Sequence, residues 1–199
     1  MKNIQSVMSV YDNIADDYTR ECSYGVHLAA DSLQEFTTFL PHNGRLLDIG
    51  CGGGQDTKFL SDKGFTLDAI DVSTAMISLA KQHYPGENFF VDDVMNLKEK
   101  EKYDGIWCCR VFQHVSLSDQ DSFLNHLLSL LKKDGILYIT VAVSNEAVDT
   151  EANDSGNDNL LKKRLSEKSF KNLFIDRNCT ILSFDYWKNH TGMEIFVRK

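Results

Sequence analysis

The stretch RLLDIGCGGGQDT, Arg45 to Thr57, decides the reading of this chain. An apolar, strand-like run meets glycines at positions 50, 52, 53 and 54, and a helix-like segment begins straight after them. Glycine reaches backbone angles closed to other residues and carries no Cβ, so the chain can turn sharply there and a ligand can approach its backbone. A glycine-rich turn alone is a weak signal, and its meaning depends on what surrounds it.

Outward from the turn, strand-like runs alternate with helical ones. RLLDIG (45–50), FTLDAID (65–71), NFFVD (88–92), YDGIWCC (103–109) and GILYITVAV (135–143) are the expected strands. QDTKFLSDK reads as a helix ended by Gly64 in the left-handed position. STAMISLAKQHY reads as a helix capped by Ser73, with Met76, Ile77 and Ala80 on one face. SDQDSFLNHLLSLLKK is expected to open a helix on Ser118 and to close it with Lys132 and Lys133, whose charge suits a helix C-terminus. Ser166 is placed to cap a further helix through Phe170, Leu173 and Phe174.

CTILSFDYWKN (179–189) and GMEIFVRK (192–199) then follow one another with only a short turn between, which predicts a hairpin. The pattern as a whole predicts an α/β fold: a Rossmann-like, doubly wound sheet, mostly parallel, with an antiparallel hairpin at its C-terminal end. Residues 1–44 are expected to supply helices and an N-terminal lid. Residues 144–165, opening with SNEAVDTEANDSGNDN, offer little to bury and are expected to form a mobile surface loop. A chain of 199 residues suits one domain.

Composition narrows the function. The net charge of -8 and an isoelectric point near 5.2 disfavour a nucleic-acid partner, because no basic surplus exists to displace counterions. No apolar run approaches membrane-spanning length, and the start of the chain lacks the core of a signal peptide. Five cysteines without a C-x-x-C pair fit reduced thiols in the cytoplasm. The six histidines show no compact ligand spacing, so no metal is expected.

The acidic residues around the turn separate two ligand classes. A dinucleotide fingerprint, G-x-G-x-x-G/A, wants Gly or Ala at position 55, where Gln55 stands. Asp48, two residues before Gly50, would repel a pyrophosphate at the mouth of its site and welcome the ammonium of S-adenosylmethionine. Asp71 ends the second expected strand, where a carboxylate can accept both ribose hydroxyls. Asp93 follows the third, placed to accept from an adenine amino group, with Val94 facing the ring. Ligands of open parallel sheets bind outside such strand ends.

With these residues in view, the chain resembles a class I S-adenosylmethionine-dependent methyltransferase over nearly its full length. LLDIGCGGG matches that family's first motif, LDAIDVSTAMISLAKQ its second, FFVDDVMNL its third and YDGIWCCRVFQHV its fourth. LLSLLKKDGILYITV matches the following helix and strand, with KKDG where the family usually shows L-K-P-G-G. YDNIADDY (11–18) resembles the N-terminal lid of small-molecule methyltransferases, with Tyr11 and Tyr18 as the residues that would close over the site. The resemblance implies that Asp48 neutralises the methionine ammonium, directly or through water, and that Gly50, Cys51 and Gly52 meet the methionine portion. It further implies that Asp71 holds the ribose, that Val72 and Met76 lie near the adenine, that Asp93 and Val94 read it, and that Arg110 touches the cofactor.

Methyl transfer is an in-line displacement at carbon with a neutral thioether leaving, so positioning supplies most of the gain. An acidic acceptor also needs a base, and His114 in FQHV is the candidate. CCRVF stands where enzymes that methylate amino groups of DNA bases and glutamine carry an Asn/Asp-Pro-Pro-Tyr/Phe signature, so a small-molecule acceptor is expected. Cys108 and Cys109 are neighbours on a strand and point to opposite faces, which argues against a shared thiophilic ligand. The alternatives are a nicotinamide-dependent oxidoreductase and a non-catalytic protein that keeps this fold.

Overall fold

The computed structural model describes residues 4–23, 29–98, 102–144, 149–154, 157–187 and 190–199, with only the backbone for 18–23, 150–154 and 157–162. Helices α1 (Ile4–Ser23) and α2 (Ala30–Thr38) precede β1 (Arg45–Ile49), α3 (Gln55–Asp62), β2 (Thr66–Asp71), α4 (Thr74–His83) and β3 (Phe89–Val91). Then come β4 (Tyr103–Cys108), α5 (Gln120–Leu130) and β5 (Leu131–Val143). The hairpin β6 (Thr150–Asp154) and β7 (Asn157–Leu165), helix α6 (Glu167–Ile175), β8 (Thr180–Trp187) and β9 (Gly192–Arg198) complete the described elements.

These nine strands form one sheet among the described residues. Parallel pairing runs β3-β2-β1-β4-β5, and β9 adds to β5 in antiparallel sense along Ile136–Ala142. β8 pairs antiparallel with β9 and so runs parallel to β5. The C-terminal ends of β1, β2, β4, β5 and β8 therefore share one edge.

Alternation along the central strands explains why both faces are covered. Leu47, Ile106, Leu137 and Ile139 pack with Phe123 and Leu127 of α5 and Phe170 and Phe174 of α6. Leu46, Trp107, Ile136 and Tyr138 pack on the other face with Leu33 and Phe36 of α2 and Leu60 of α3. Successive strand residues belong to opposite clusters, as the period of two requires for a sheet buried on both sides. Trp107 and Tyr138 stack with ring centroids 3.8 Å apart and planes 10° from parallel.

The expected helix caps hold in two cases. Ser73 accepts from the Met76 amide and Ser166 from the Ser169 amide, while Gly64 takes a left-handed φ of 92°. Helix α5 differs from its expected bounds. It begins at Gln120 after Asp119, which makes no side-chain cap bond, and Ser118 Oγ instead pairs with Ser116 Oγ at 3.0 Å. It ends at Leu130, so Lys132 and Lys133 lie beyond it, where β5 loops out between Leu131 and Ile136. Lys132 there pairs with Asp104 at 2.8 Å.

The segment 144–165 corrects the sequence reading more strongly. It holds β6 and the whole of a second strand, β7, which pairs antiparallel with β6 and touches β5 at Ala142 and Val143. A hairpin gains its order from ladder hydrogen bonds between polar strands, which leave no hydrophobic alternation to read. Lys163 of β7 is fully buried, with Nζ 3.3 Å from the centroid of the Phe112 ring. The hairpin thus buttresses the turn that carries His114.

Candidate cofactor pocket and active site

A cavity of about 790 Å³, counting its open mouth, lies at the shared strand edge. Its floor comes from the turn after β1. Gly50 and Gly52 have φ of 69° and 52°, in the left-handed region. A Cβ on Gly50 would lie 2.3 Å from Val111 Cγ2, so only glycine allows this close packing of turn against the segment after β4. A Cβ on Gly52 would meet nothing within 4 Å, because that position faces the open cavity.

Asp71 at the end of β2 is fixed by backbone donors. Its Oδ2 accepts from the Gly52 amide at 3.0 Å and its Oδ1 from the Ser73 amide at 2.9 Å. Burial pushes its carboxyl up from the usual carboxylate range, against the lowering effect of the Ser73, Gly52 and Val72 amides. One carboxylate thereby ties the glycine turn to the start of α4 and still lines the cavity.

The far side of the cavity combines apolar side chains with carboxylates. Val72, Met76 and Val94 line it, the last two almost fully buried. Asp93 lines it as well and uses Oδ1 to cap the 3-10 turn Val94–Asn96 through the Met95 amide at 3.0 Å. Asp92, beside it, also reaches the cavity.

Helix α1 forms the cover. Ile4, Val7 and Tyr11 line the cavity from one helical face. Asp12 anchors the helix, its Oδ1 accepting from Ser73 Oγ at 2.6 Å and from the Ala75 amide at 3.1 Å. Opposite Tyr11, the 3-10 turn Phe112–His114 presents His114, 7 % exposed. Tyr11 Oη and Gln113 Nε2 both lie 3.2 Å from His114 Nε2. With the ring proton on Nδ1, the Tyr11 hydroxyl and the Gln113 amide share the single lone pair of Nε2.

Asp48 corrects the sequence reading. It is 2 % exposed and does not line the cavity, because it shares a face with Leu46 and points under the turn toward α3. There its Oδ2 accepts from Thr57 Oγ1 at 2.6 Å. Burial pushes its carboxyl up to about 8; Asp56 adds repulsion, the Thr57 bond opposes the rise, and Asp71 adds to it. The carboxylates at the cavity surface are Asp71, Asp92 and Asp93. Cys51 also points away from the cavity, and burial raises its thiol.

This burial makes stability depend on pH. Between about pH 4 and pH 8 the native chain holds a proton on Asp48 that the unfolded chain releases. Stability from this group is therefore full at low pH and lost as pH rises toward 8, by up to ~1.4 kcal/mol per pH unit. Asp48→Asn keeps an acceptor for Thr57 and removes the ionisation. Urea unfolding at pH 5, 6.5 and 8 should show the variant's advantage over wild type growing with pH, to on the order of a few kcal/mol. Parallel pH curves for the two proteins would contradict this account of Asp48.

Of the remaining expected site residues, Arg110 lines the cavity, while the side chain of Tyr18 lies outside the described residues. Cys109 reaches the cavity and Cys108 the opposite core, as strand alternation requires. Ile49, Ile70 and Val111 also line it and were not read from the sequence. Ile4 and Val7 had a usable signal, since they precede Tyr11 at helical spacing. No group of three His, Cys, Asp or Glu among the described residues could hold a metal.

A family model described as "Methyltransferase domain" matches residues 19–183. The chain belongs to that methyltransferase-domain family. Over 101 residues it is 37% identical to the ubiquinone biosynthesis O-methyltransferase of Pelagibacter ubique, a match covering 49% of this chain and 41% of that protein. The chain thus spans about two fifths of the length of the first curated relatives it matches.

Among solved structures, this methyltransferase-domain chain is similar to the 1,6-didemethyltoxoflavin-N1-methyltransferase of Burkholderia thailandensis. That structure holds 1,6-didemethyltoxoflavin and S-adenosylhomocysteine; the TM-score is 0.79 at 18% identity, covering 98% of this chain and 88% of that one. It is similar also to the [4+2]-cyclase SpnF, with a TM-score of 0.75 at 17% identity, covering 97% and 94%. At these identities the likeness shows a shared fold, and that fold hosts more than one chemistry.

Proposed function

We propose that this chain binds S-adenosylmethionine and transfers its methyl group to a small-molecule acceptor. The observation that carries the reading is the Gly52–Asp71 cradle: a left-handed glycine open to the cavity, its amide held by a carboxylate at the next strand end. Bound there, the cofactor supplies an electrophilic methyl group whose departure leaves a neutral thioether. Gly50 and Gly52 would accept the methionine portion against bare backbone. Asp71 has lone pairs left for the ribose hydroxyls, and Val72, Met76 and Val94 offer apolar contact for the adenine beside Asp93.

Asp48 acts through the turn rather than at the cavity surface. An ammonium seated over Gly50 would draw its carboxyl toward the charged form, in a setting where burial strengthens every charge interaction. A pyrophosphate, by contrast, would face Asp71, Asp92 and Asp93. That acidic rim supports the sulfonium nucleoside over a nicotinamide dinucleotide.

His114 would take the acceptor's proton at Nε2 once the acceptor displaces the Tyr11 hydroxyl and the Gln113 amide from that lone pair. α1, pinned by Asp12, would exclude water from the transfer. The free thiols Cys51, Cys108, Cys109 and Cys179 fit a reducing compartment, the cytoplasm. No helix among the described residues is long and apolar enough to cross a membrane.

Methyl-labelled cofactor incubated with the protein and a small-metabolite extract tests the reading. Label should pass to a small organic product. Cofactor binding with no transfer to any extract component would leave the non-catalytic alternative standing and defeat the enzymatic one.

A further inference from the structure

We propose that Arg110, laid on the ring of Trp187, is the subsite that receives an oxyanion of the methyl acceptor, so that the acceptor has an apolar body and an acidic end. This deepens the methyl-transfer reading and rests on it. The sequence placed Arg110 with the cofactor; the geometry points its side chain elsewhere.

Position is the first argument. The cradle of Gly52, Asp71 and Asp93 stands over β1, β2 and β3. Arg110 follows β4, and its guanidinium carbon lies 4.2 Å from the centroid of the Trp187 ring, at the end of β8. Because β8 runs parallel to β5, that ring stands at the same sheet edge as the cavity but on its opposite half. An arginine reaching from the cavity wall toward β8 therefore serves what lies beside the nucleoside site.

The second argument is how firmly the arginine is built in. Arg110 has a φ of 62°, a conformation that costs a residue with a Cβ and that gathers at functional sites. Its amide donates to Thr140 Oγ1 at 2.7 Å, and Thr140 is 3 % exposed. On the other side, a Cβ on Gly192 would lie 3.3 Å from Trp187 Cε3, so the bare backbone of β9 lets the indole lie close. The indole N–H is buried and finds no acceptor among the described residues. The ring is thus present for its face, and a face is what a guanidinium stacks on. A stacked guanidinium keeps its N–H edge in plane for a carboxylate or phosphate.

Charge supplies the third argument. Among the described residues that line the cavity, the fixed cation is Arg110 and the carboxylates are Asp71, Asp92 and Asp93. An oxyanion is repelled from the nucleoside half and drawn to the Arg110 half. Between the two, Ile4, Val7 and Val111 offer an apolar wall for the rest of the molecule.

Calorimetry on the full chain saturated with S-adenosylhomocysteine tests this, with matched acids and amides as probes: 4-hydroxybenzoate against 4-hydroxybenzamide, and octanoate against octanamide. In wild type at least one acid should bind about tenfold or more tighter than its amide. That preference should fall below about threefold in Arg110→Gln and return in part in Arg110→Lys. No acid favoured over its amide in wild type, or a preference unchanged in Arg110→Gln, overturns the proposal.

The cofactor's own carboxylate is the other source of an oxyanion. S-adenosylhomocysteine should bind Arg110→Gln within about threefold of wild type. A loss of that affinity not shared by 5′-methylthioadenosine, which has no amino-acid tail, would make the methionine carboxylate the occupant and overturn the acceptor assignment. Failure of S-adenosylhomocysteine to bind wild type at all would remove the cofactor reading itself and this inference with it.

Discussion

Asp71→Ala should lose at least about a hundredfold in affinity for S-adenosylhomocysteine by calorimetry, the largest binding effect of any single change in the pocket. Hydrogen bonds to a charged group contribute about 1.5–3 kcal/mol each, and two to a ribose diol exceed the roughly 2.7 kcal/mol that a hundredfold represents. The alanine also strips the Gly52 and Ser73 amides of their acceptor, so the turn loses the group that orients it. Asp71→Asn is milder: it keeps an acceptor for one of the two amides, which sit on different oxygens, and offers a donor where the ribose needs an acceptor, and about a tenfold loss is expected. If both variants bind as wild type does, Asp71 is a helix-entry residue and nothing more.

His114→Ala should lower kcat by about 10²–10⁴ for an acceptor that must shed a proton, with little change in the KM for the cofactor. Added imidazole should restore part of the rate, a response that loss of packing would not give. Tyr11→Phe keeps the ring over the cavity and removes the hydroxyl 3.2 Å from Nε2 that shares its lone pair, so kcat should fall far less than in His114→Ala. A turnover number unaffected by His114→Ala would assign the histidine to packing in the turn it ends.

These two residues were legible because topology fixes them. In a parallel sheet the residue at a strand's C-terminal end faces the ligand edge; Asp71 is placed by that rule, and His114 by the short turn that follows the end of β4. The glycine turn was legible for the same reason, since the backbone angles at Gly50 and Gly52 admit little else. Asp48 was misplaced by one geometric step. Its proximity to Gly50 suggested the cavity mouth, while the alternation that puts Leu46 in the α3-side core puts Asp48 there too. That alternation is present in the sequence and outweighs proximity.

The β6–β7 hairpin was not legible. SNEAVDTEANDSGNDN carries the composition of a loop, and nothing in it announces the ladder that pairs Thr150 with Arg164 and Ala152 with Lys162. Its fully buried Lys163, stacked on Phe112, is the kind of contact that only tertiary structure reveals. Arg110 is similar: its sequence neighbours place it near the cavity, but only the return of β8 beside β9 brings Trp187 beneath it.

The cradle between Gly52 and Asp71 is the claim on which the functional account stands, and a ligand competition tests it most directly. Crystals soaked with S-adenosylhomocysteine and NADH together should show the sulfur nucleoside, its ribose on Asp71 and its adenine beside Asp93, with no dinucleotide present. NADH seated in the cavity with its ribose on Asp71, and S-adenosylhomocysteine absent, would contradict it.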